Sequence, residues 1–247
     1  KQPFFLYLAY NAPHSPVEPP AAALERVRQR APGLEAKRAA AVALVEDLDE
    51  KLGRVLATLR ETGLERSTPV VFTSDNGGSL PHAANNDPWR DGKQSHYDGG
   101  LRVPFVARWP GRIAAGRTSD YAGRTFDLFA TCLEAAGAPK PQAMDAVSLL
   151  PIFRGETPAG PRDLYFVRRE GGPPYGGKDY HAIIRGEWKL LQNSPYAPLE
   201  LYHLATDPAE RTNVIAQNPK VARELQAALS AHIQRGGAVP WQSPAQP

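Results

Sequence analysis

The sequence contains a single cysteine, Cys132, among 247 residues, which excludes an intrachain disulfide. Cys132 lies in a helical pattern beside Phe129 and Leu133, and we expect it to be a small buried apolar residue. The sequence lacks a dense run of lysine and arginine and has a formal net charge of +3, so nucleic-acid binding has little support. No apolar run is long enough to span a membrane. A signal peptide is missing too, but the sequence starts abruptly at a predicted strand, so this absence says little about the compartment.

The stretch from Thr68 to Gly78 combines a predicted strand with candidate metal ligands. Val70–Phe72 is a short apolar run bounded by proline and glycine, which is typical of a strand buried on both faces. Asp75 and Asn76 follow the end of this strand, where ligands bind in open α/β sheets. A carboxylate and an amide carbonyl are hard oxygen ligands that suit Ca²⁺ or Mg²⁺. Asp-Asn-Gly-Gly is also ordinary turn chemistry, so this stretch alone leaves both interpretations open.

Phe4–Ala9 is another apolar run, and we predict a buried strand there. It leads into a proline-restricted loop that holds His14, an imidazole that can contact an anion or move a proton. The alternative is a loop histidine bonded to the backbone. Residues Ala36 to Thr62 carry an apolar stripe and predict a helix. Because a strand–helix–strand crossover makes its strands parallel in one sheet, we expect His14 and Asp75 to emerge at the same edge.

Lys93 is the third candidate, in the long polar loop that follows the metal-ligand stretch. Gly92 precedes it, so the lysine can approach a ligand closely as a point charge. A solvated surface lysine is the alternative interpretation. The loop ends at the strand-like run Val103–Trp109.

The rest of the sequence predicts a second helix at Asp127–Ala136 and then a smaller unit. A hairpin with Gly186-Glu187 at its turn and a helix after Asn218-Pro219 belong to that unit. Its predicted strands are Leu164–Arg168, Tyr180–Arg185, Trp188–Gln192 and Leu199–Leu204. We therefore expect an α/β fold, with a sheet flanked by helices in residues 1–160 and a small α+β subdomain, an antiparallel sheet plus a helix, in residues 161–247.

Several stretches, in their order and spacing, resemble the sulfatases of the alkaline-phosphatase superfamily. The resemblance is to the arylsulfatase and N-acetylgalactosamine-6-sulfatase-like group. The matching stretches are Pro3–Leu8 with Ala12-Pro13-His14, Val71–Gly78, Gly92-Lys93 with Tyr97–Pro104, Arg108-Trp109-Pro110-Gly111, Ser148-Leu149-Leu150-Pro151, Gly186–Leu190, and Leu201-Tyr202 through Asp207-Pro208, Glu210 and Asn213. The fold that this resemblance implies is an incomplete alkaline-phosphatase-like sheet.

The resemblance implies a role for each candidate residue. Asp75 and Asn76 resemble one pair of calcium ligands of the family. Lys93 resembles the lysine that contacts the sulfate oxygens and the leaving-group side. His14 resembles the histidine that hydrogen-bonds the bound sulfate ester. A cation and positive side chains would stabilise the charge that develops on a transferring sulfuryl group, in agreement with the residue chemistry.

One departure from the family pattern limits these expectations. Sulfatases carry a Cys- or Ser-x-Pro-x-Arg motif near the amino terminus, whose first residue becomes the formylglycine nucleophile, preceded by a pair of metal-binding aspartates. Neither is present here, since Cys132 is followed by Leu-Glu-Ala-Ala. We therefore expect residues 1–160 to be a partial catalytic domain and the chain alone to be inactive, as the carboxyl-terminal part of a sulfatase.

Two other functions share these residues. A related phosphodiesterase or phosphonate hydrolase has the same fold and metal requirement. A non-catalytic module could hold a sulfated glycan through His14, Lys93 and loop arginines. The expected partner is a sulfate-ester small molecule or glycan, and the resemblance implies a periplasmic or secreted parent enzyme. Apolar strands without neighbours would also pair between copies, which predicts a homo-oligomer.

Overall fold

A computed structural model describes residues 2–141, 144–156, 162–169, 179–193 and 196–237. The chain divides into two compact units. The first comprises Lys1–Val71, Ser79–Asn85 and Val106–Ala115, and the second comprises Phe72–Gly78, Asn86–Phe105 and Gly116–Pro247. Among the described residues, no helix combines the length and apolar character needed to cross a membrane.

The first unit is built around a helical hairpin, α1 (Ala21–Arg30) and α2 (Ala36–Glu61). Small buried residues, among them Ala23 and Ala43, line the contact and let the helix backbones approach closely. Ion pairs between Arg26 and Glu50 and between Arg30 and Glu46 run along its exposed side. The predicted long helix is confirmed. It is followed by Gly63 at φ +70°, the left-handed conformation that suits a helix C-terminus.

The strand predicted at Phe4–Ala9 is wrong. The segment has no regular secondary structure, and its large apolar side chains are 44–78% exposed from Phe4 to Leu8. A strand forms only where a neighbour satisfies its backbone N–H and C=O groups, and no described strand pairs with this segment. Instead β1 (Val70–Thr73) pairs with β2 (Phe105–Arg108), the core of the run predicted at Val103–Trp109. The expected association of copies through an uncovered sheet edge stays a prediction.

The second unit contains the short helices α3 (Asp98–Leu101), α4 (Asp127–Ala135) and α5 (Leu150–Arg154). The prediction that Cys132 is buried is wrong, because its side chain on α4 is exposed. The inward side of α4 carries buried polar side chains. Asp127 is fully buried and pairs with Arg162, and Thr131 accepts a hydrogen bond from the amide of Leu149 at 2.9 Å. These bonds fix the helix rotation and leave the cysteine on the outer face.

The second unit ends in an antiparallel sheet whose order follows the chain: β3 (Asp163–Arg169), β4 (Asp179–Arg185), β5 (Trp188–Gln192) and β6 (Glu200–His203). Helix α6 (Pro219–Gly237) packs Leu225 and Leu229 against Ile183, Leu190 and Leu201. The predicted small sheet with its covering helix is confirmed. The predicted domain boundary at 160 lies outside the described residues, and that division stays a prediction.

The packing of α6 on the sheet includes a titratable ring. His232 stacks on Tyr165 with ring centroids 3.8 Å apart, and burial together with Arg235 holds the pKa of His232 below its ordinary value of 6.5. Because the unfolded chain then binds the proton more readily than the folded one, this contribution is complete above the ordinary pKa. We expect the free energy of unfolding to decrease as the pH falls from about 7.5 to about 5.

Urea unfolding at both pH values measures this decrease, and other groups contribute to it as well. The variant His232→Phe keeps a stacked ring that does not titrate, so it should lose less stability than the natural protein over the same pH range. An equal loss in both proteins would contradict the role assigned to His232.

Candidate active site

The predicted metal ligands Asp75 and Asn76 lie directly after β1 in the second unit. Asp75 is exposed and Asn76 is partly buried. The hydroxyl of Ser74 donates to the carbonyl of Asn76 at 3.1 Å, which bends the chain at the strand end. The amide of Gly77 then donates to the carbonyl of Gly100 at 3.0 Å. The candidate ligands are therefore held beside a second segment, residues 90–102, which we call the lysine segment.

Backbone contacts fix the lysine segment against the strand end. The amide of Lys93 donates to the carbonyl of Gly78 at 3.0 Å. The side chain of Asn86 accepts from the amide of Gly78 and donates to the carbonyls of Gly78 and Asp91, at 2.9–3.0 Å. The structure thus brings Lys93 into the same small region as Asp75 and Asn76.

Glycine makes this close approach sterically feasible. A Cβ added to Gly77 would lie 1.8 Å from the carbonyl oxygen of Gly99, well inside any allowed contact. A Cβ on Gly99 would lie 2.2 Å from the carbonyl oxygen of Asp91, and one on Gly100 would lie 2.3 Å from that of Ser95. These glycines are required for backbone packing rather than for turn conformation.

His14, the remaining predicted site residue, lies in the first unit, in an exposed loop. Its Nδ1 donates to the carbonyl of Ser15 at 2.9 Å, and its amide donates to the carbonyl of Asn11 at 2.7 Å. The expectation that it shares a sheet edge with Asp75 depended on the strand at Phe4–Ala9, which does not form. Its place in the site stays a prediction from the family resemblance.

A buried cluster of charges joins the lysine segment to the carboxyl-terminal sheet. Lys189 on β5 is completely buried, and its Nζ lies 2.8 Å from a carboxylate oxygen of Asp98 and 2.8 Å from one of Glu210. The other Glu210 oxygen accepts from the amide of Asp98 at 2.6 Å, and Arg102 Nε donates to Asp98 at 2.6 Å. Burial alone would raise the pKa of Asp98, but Lys189 and Arg102 outweigh it and hold the pKa below its usual value. Burial raises the pKa of Glu210, with Lys189 opposing it.

A second polar network fixes the same segment. The hydroxyls of Tyr97 and Tyr202 both donate to one oxygen of Glu200, and the guanidinium of Arg90 donates to the Tyr202 oxygen and lies 3.7 Å from the centre of the Tyr97 ring. Burial and the Glu200 carboxylate raise the pKa of Tyr97 to about 12. Burial and the same carboxylate also raise the pKa of Tyr202, so both tyrosines are neutral donors at physiological pH.

Sequence reasoning missed the roles of Asp98, Lys189 and Glu210. The pairing partners are distant in sequence, so no local spacing indicates the cluster. One signal was present: Lys189 interrupts the apolar strand Trp188–Gln192. A charged residue at a strand position that faces a core predicts a buried counter-charge.

The donor atoms of Asp75 and Asn76 fit Ca²⁺ in kind but not in number, since this ion takes about 6–8 oxygen ligands. Within the described ranges, no group of three or more histidine, cysteine, aspartate or glutamate residues could hold a metal ion. The pair therefore supplies only part of a coordination shell.

Comparison with known proteins places this site in context. Residues 1–138 match the family model for Sulfatase, and residues 88–236 match that for N-sulphoglucosamine sulphohydrolase, C-terminal. N-acetylgalactosamine-6-sulfatase of Mus musculus is 35% identical over 248 residues, covering 85% of this chain and 44% of that protein. The chain thus spans less than half the length of this relative.

Solved structures give the same picture. Ps i-CgsB in complex with k-i-k-neocarrahexaose matches with a TM-score of 0.84 at 30% identity, covering 94% of this chain and 50% of that one. The phosphonate monoester hydrolase SpPMH from Silicibacter pomeroyi matches with a TM-score of 0.60 at 27% identity, covering 83% and 43%. The predicted fold class, the α/β fold of the alkaline-phosphatase superfamily, is confirmed by these neighbours.

The glycine contacts make a direct prediction. The variant Gly77→Ala should destabilise the second unit by about 2 kcal/mol or more, because its Cβ overlaps a backbone carbonyl that cannot move without breaking neighbouring hydrogen bonds. Gly53→Ala is the control, because Gly53 lies inside α2 with nothing within 4 Å of the added Cβ. This control should stabilise by roughly 0.5–1 kcal/mol through helix propensity. Urea unfolding of both variants measures the difference, and similar values for the two would show that the lysine segment does not pack as described.

Proposed function

Because the chain belongs to the sulfatase family, we propose that it forms the lysine-bearing side of a site that binds and hydrolyses sulfate esters of sugars or aryl groups. Members of this family act on sulfate esters, and the mouse relative is named for a sulfated amino sugar. The observation that supports the proposal is the backbone pairing that holds Lys93 next to Asp75 and Asn76.

In this proposal, Lys93 contacts the sulfate oxygens and the leaving-group oxygen. Cleavage of a sulfate ester moves negative charge onto the leaving oxygen, and a fixed ammonium stabilises that charge more in the transition state than in the bound substrate. By the family resemblance, His14 would donate a hydrogen bond to the bound sulfate. Because its Nδ1 already donates to the Ser15 carbonyl, Nε2 can donate to a sulfate oxygen only when the ring is the doubly protonated imidazolium.

Asp75 and Asn76 would hold part of the shell of a Ca²⁺ ion, with Mg²⁺ as the alternative. When bound, such an ion supplies a positive charge that orients an anionic substrate and polarises it. The remaining ligands, and a formylglycine nucleophile, would be contributed by residues other than those of this chain. No residue of the chain matches the nucleophile motif.

The first test is hydrolysis of a chromogenic aryl sulfate by the chain alone. We expect negligible turnover, because positioning and polarising groups without a nucleophile leave only a small residual rate enhancement. Turnover comparable to that of an intact sulfatase would refute the assignment of the chain as an incomplete catalytic unit.

The second test concerns Lys93 in an active sulfatase that contains this chain together with an amino-terminal part carrying Cys-x-Pro-x-Arg. The variant Lys93→Ala should lower kcat by about 100- to 1000-fold, the usual cost of removing one transition-state charge stabiliser. Lys140→Ala is the matched control, because the ion pair of Lys140 with Glu134 is exposed and lies outside the lysine segment. An unchanged kcat in Lys93→Ala would remove Lys93 from the mechanism.

Phosphonate ester hydrolysis is the second candidate function, favoured by the similarity to SpPMH. The same active protein, offered aryl sulfates and aryl phosphonates, separates the two by kcat/KM. A higher value for the phosphonate would favour this alternative. Retention of sulfated glycans without turnover of either ester would favour a binding module.

A further inference from the structure

Lys189 stands out because burying an ammonium group is costly unless it is paired and hydrogen-bonded. Its side chain is 0% exposed on β5, in a strand whose neighbours Leu190 and Leu191 are also completely buried. A leucine or methionine there would pack without that cost. The stability of the sheet therefore does not explain why a lysine occupies this position.

The two carboxylates that pair with Lys189 converge on one point of the lysine segment. Asp98 is the first residue of α3, and the Glu210 carboxylate accepts the amide hydrogen of the same Asp98. Lys189 thus holds both the side chain and, through Glu210, the backbone at this residue. On either side of Asp98, the amide of Lys93 donates to the carbonyl of Gly78 and the amide of Gly99 donates to the carbonyl of Arg90. These bonds fix the position of the segment.

We propose that Lys189 is a positioning residue, which fixes the lysine segment on the carboxyl-terminal sheet and thereby fixes Lys93 beside Asp75 and Asn76. The inference rests on the proposed function only for what Lys93 does; the anchoring itself is independent of it. The carboxyl-terminal sheet then sets the geometry of the sulfate-binding lysine without touching substrate. Arg102, which is half exposed, closes the cluster from the solvent side.

The test is amide hydrogen exchange, measured by mass spectrometry on the 247-residue chain. In Lys189→Met, two carboxylates lose their shared cation while the side-chain volume is kept. We expect peptides that cover residues 90–102 and 76–78 to exchange roughly 100-fold faster, because breaking a buried ion pair on one side strongly favours local opening. Peptides from α2 and α4 should exchange as in the natural protein.

A second variant separates charge pairing from packing. The double variant Lys189→Met/Glu210→Gln removes one charge of each sign. The amide side chain introduced at position 210 keeps an oxygen that accepts from the Asp98 amide, and Asp98 keeps Arg102. We expect exchange in the lysine segment to return to within about tenfold of the natural protein. Lys51→Met, which breaks a partly exposed pair with Asp47 on α2, is the control for loss of a lysine and should change nothing in the segment.

Each outcome of these exchange measurements either supports or overturns the proposal. Fast exchange confined to the lysine segment and reversed in the double variant supports the proposal. Unchanged exchange in Lys189→Met, equally fast exchange in α4, or failure of the double variant to recover each overturns it. If Lys189→Met does not fold, a folded and protected double variant supports the proposal, and an unfolded one overturns it. The kcat of Lys93→Ala bears only on the proposed function, because exchange is measured without substrate.

Discussion

The structure of the candidate site depends on one buried charge. The Lys189 ammonium has no access to water, so it is stable only while Asp98 and Glu210 stay within ion-pair distance. That requirement couples three parts of the second unit: the sheet that carries Lys189, the turn that carries Glu210 and the segment that carries Lys93. A purely apolar contact at this place would tolerate sliding, whereas charge pairs with short hydrogen bonds specify one arrangement.

In the second unit, apolar packing therefore contributes mainly to stability, whereas polar networks fix the position of the lysine segment. Apolar packing of α6 on the sheet, through residues such as Leu225 and Ile183, supplies buried apolar surface that stabilises the unit. The polar networks of Lys189 and Glu200 determine where the lysine segment lies. Close packing of Gly77 against Gly99 then fixes the end of β1 relative to the lysine segment. Functional groups held in this way keep a fixed geometry, as electrostatic catalysis requires.

The sequence predicts the elements whose pattern is long and locally determined. Helix α2 and the hairpin at Gly186-Glu187 are of this kind, and both are confirmed. Phe4–Ala9 could not be predicted correctly, because a short apolar run becomes a strand only if a distant neighbour pairs with it. The prediction that Cys132 is buried is wrong for a related reason, because the rotation of α4 is set by Asp127 and its remote partner Arg162. The cluster around Lys189 likewise joins residues about one hundred positions apart, beyond the reach of any local motif.

The proposed function requires that Asp75, Asn76 and the lysine segment form a single surface that binds a sulfate ester together with a divalent cation. Nuclear magnetic resonance of the ¹⁵N-labelled chain, titrated with N-acetylgalactosamine 6-sulfate in the presence of Ca²⁺, tests it most directly. We expect the largest amide shift changes to occur together in residues 74–78 and 91–100. Changes confined to other parts of the chain, or changes in only one of these two segments, would contradict it.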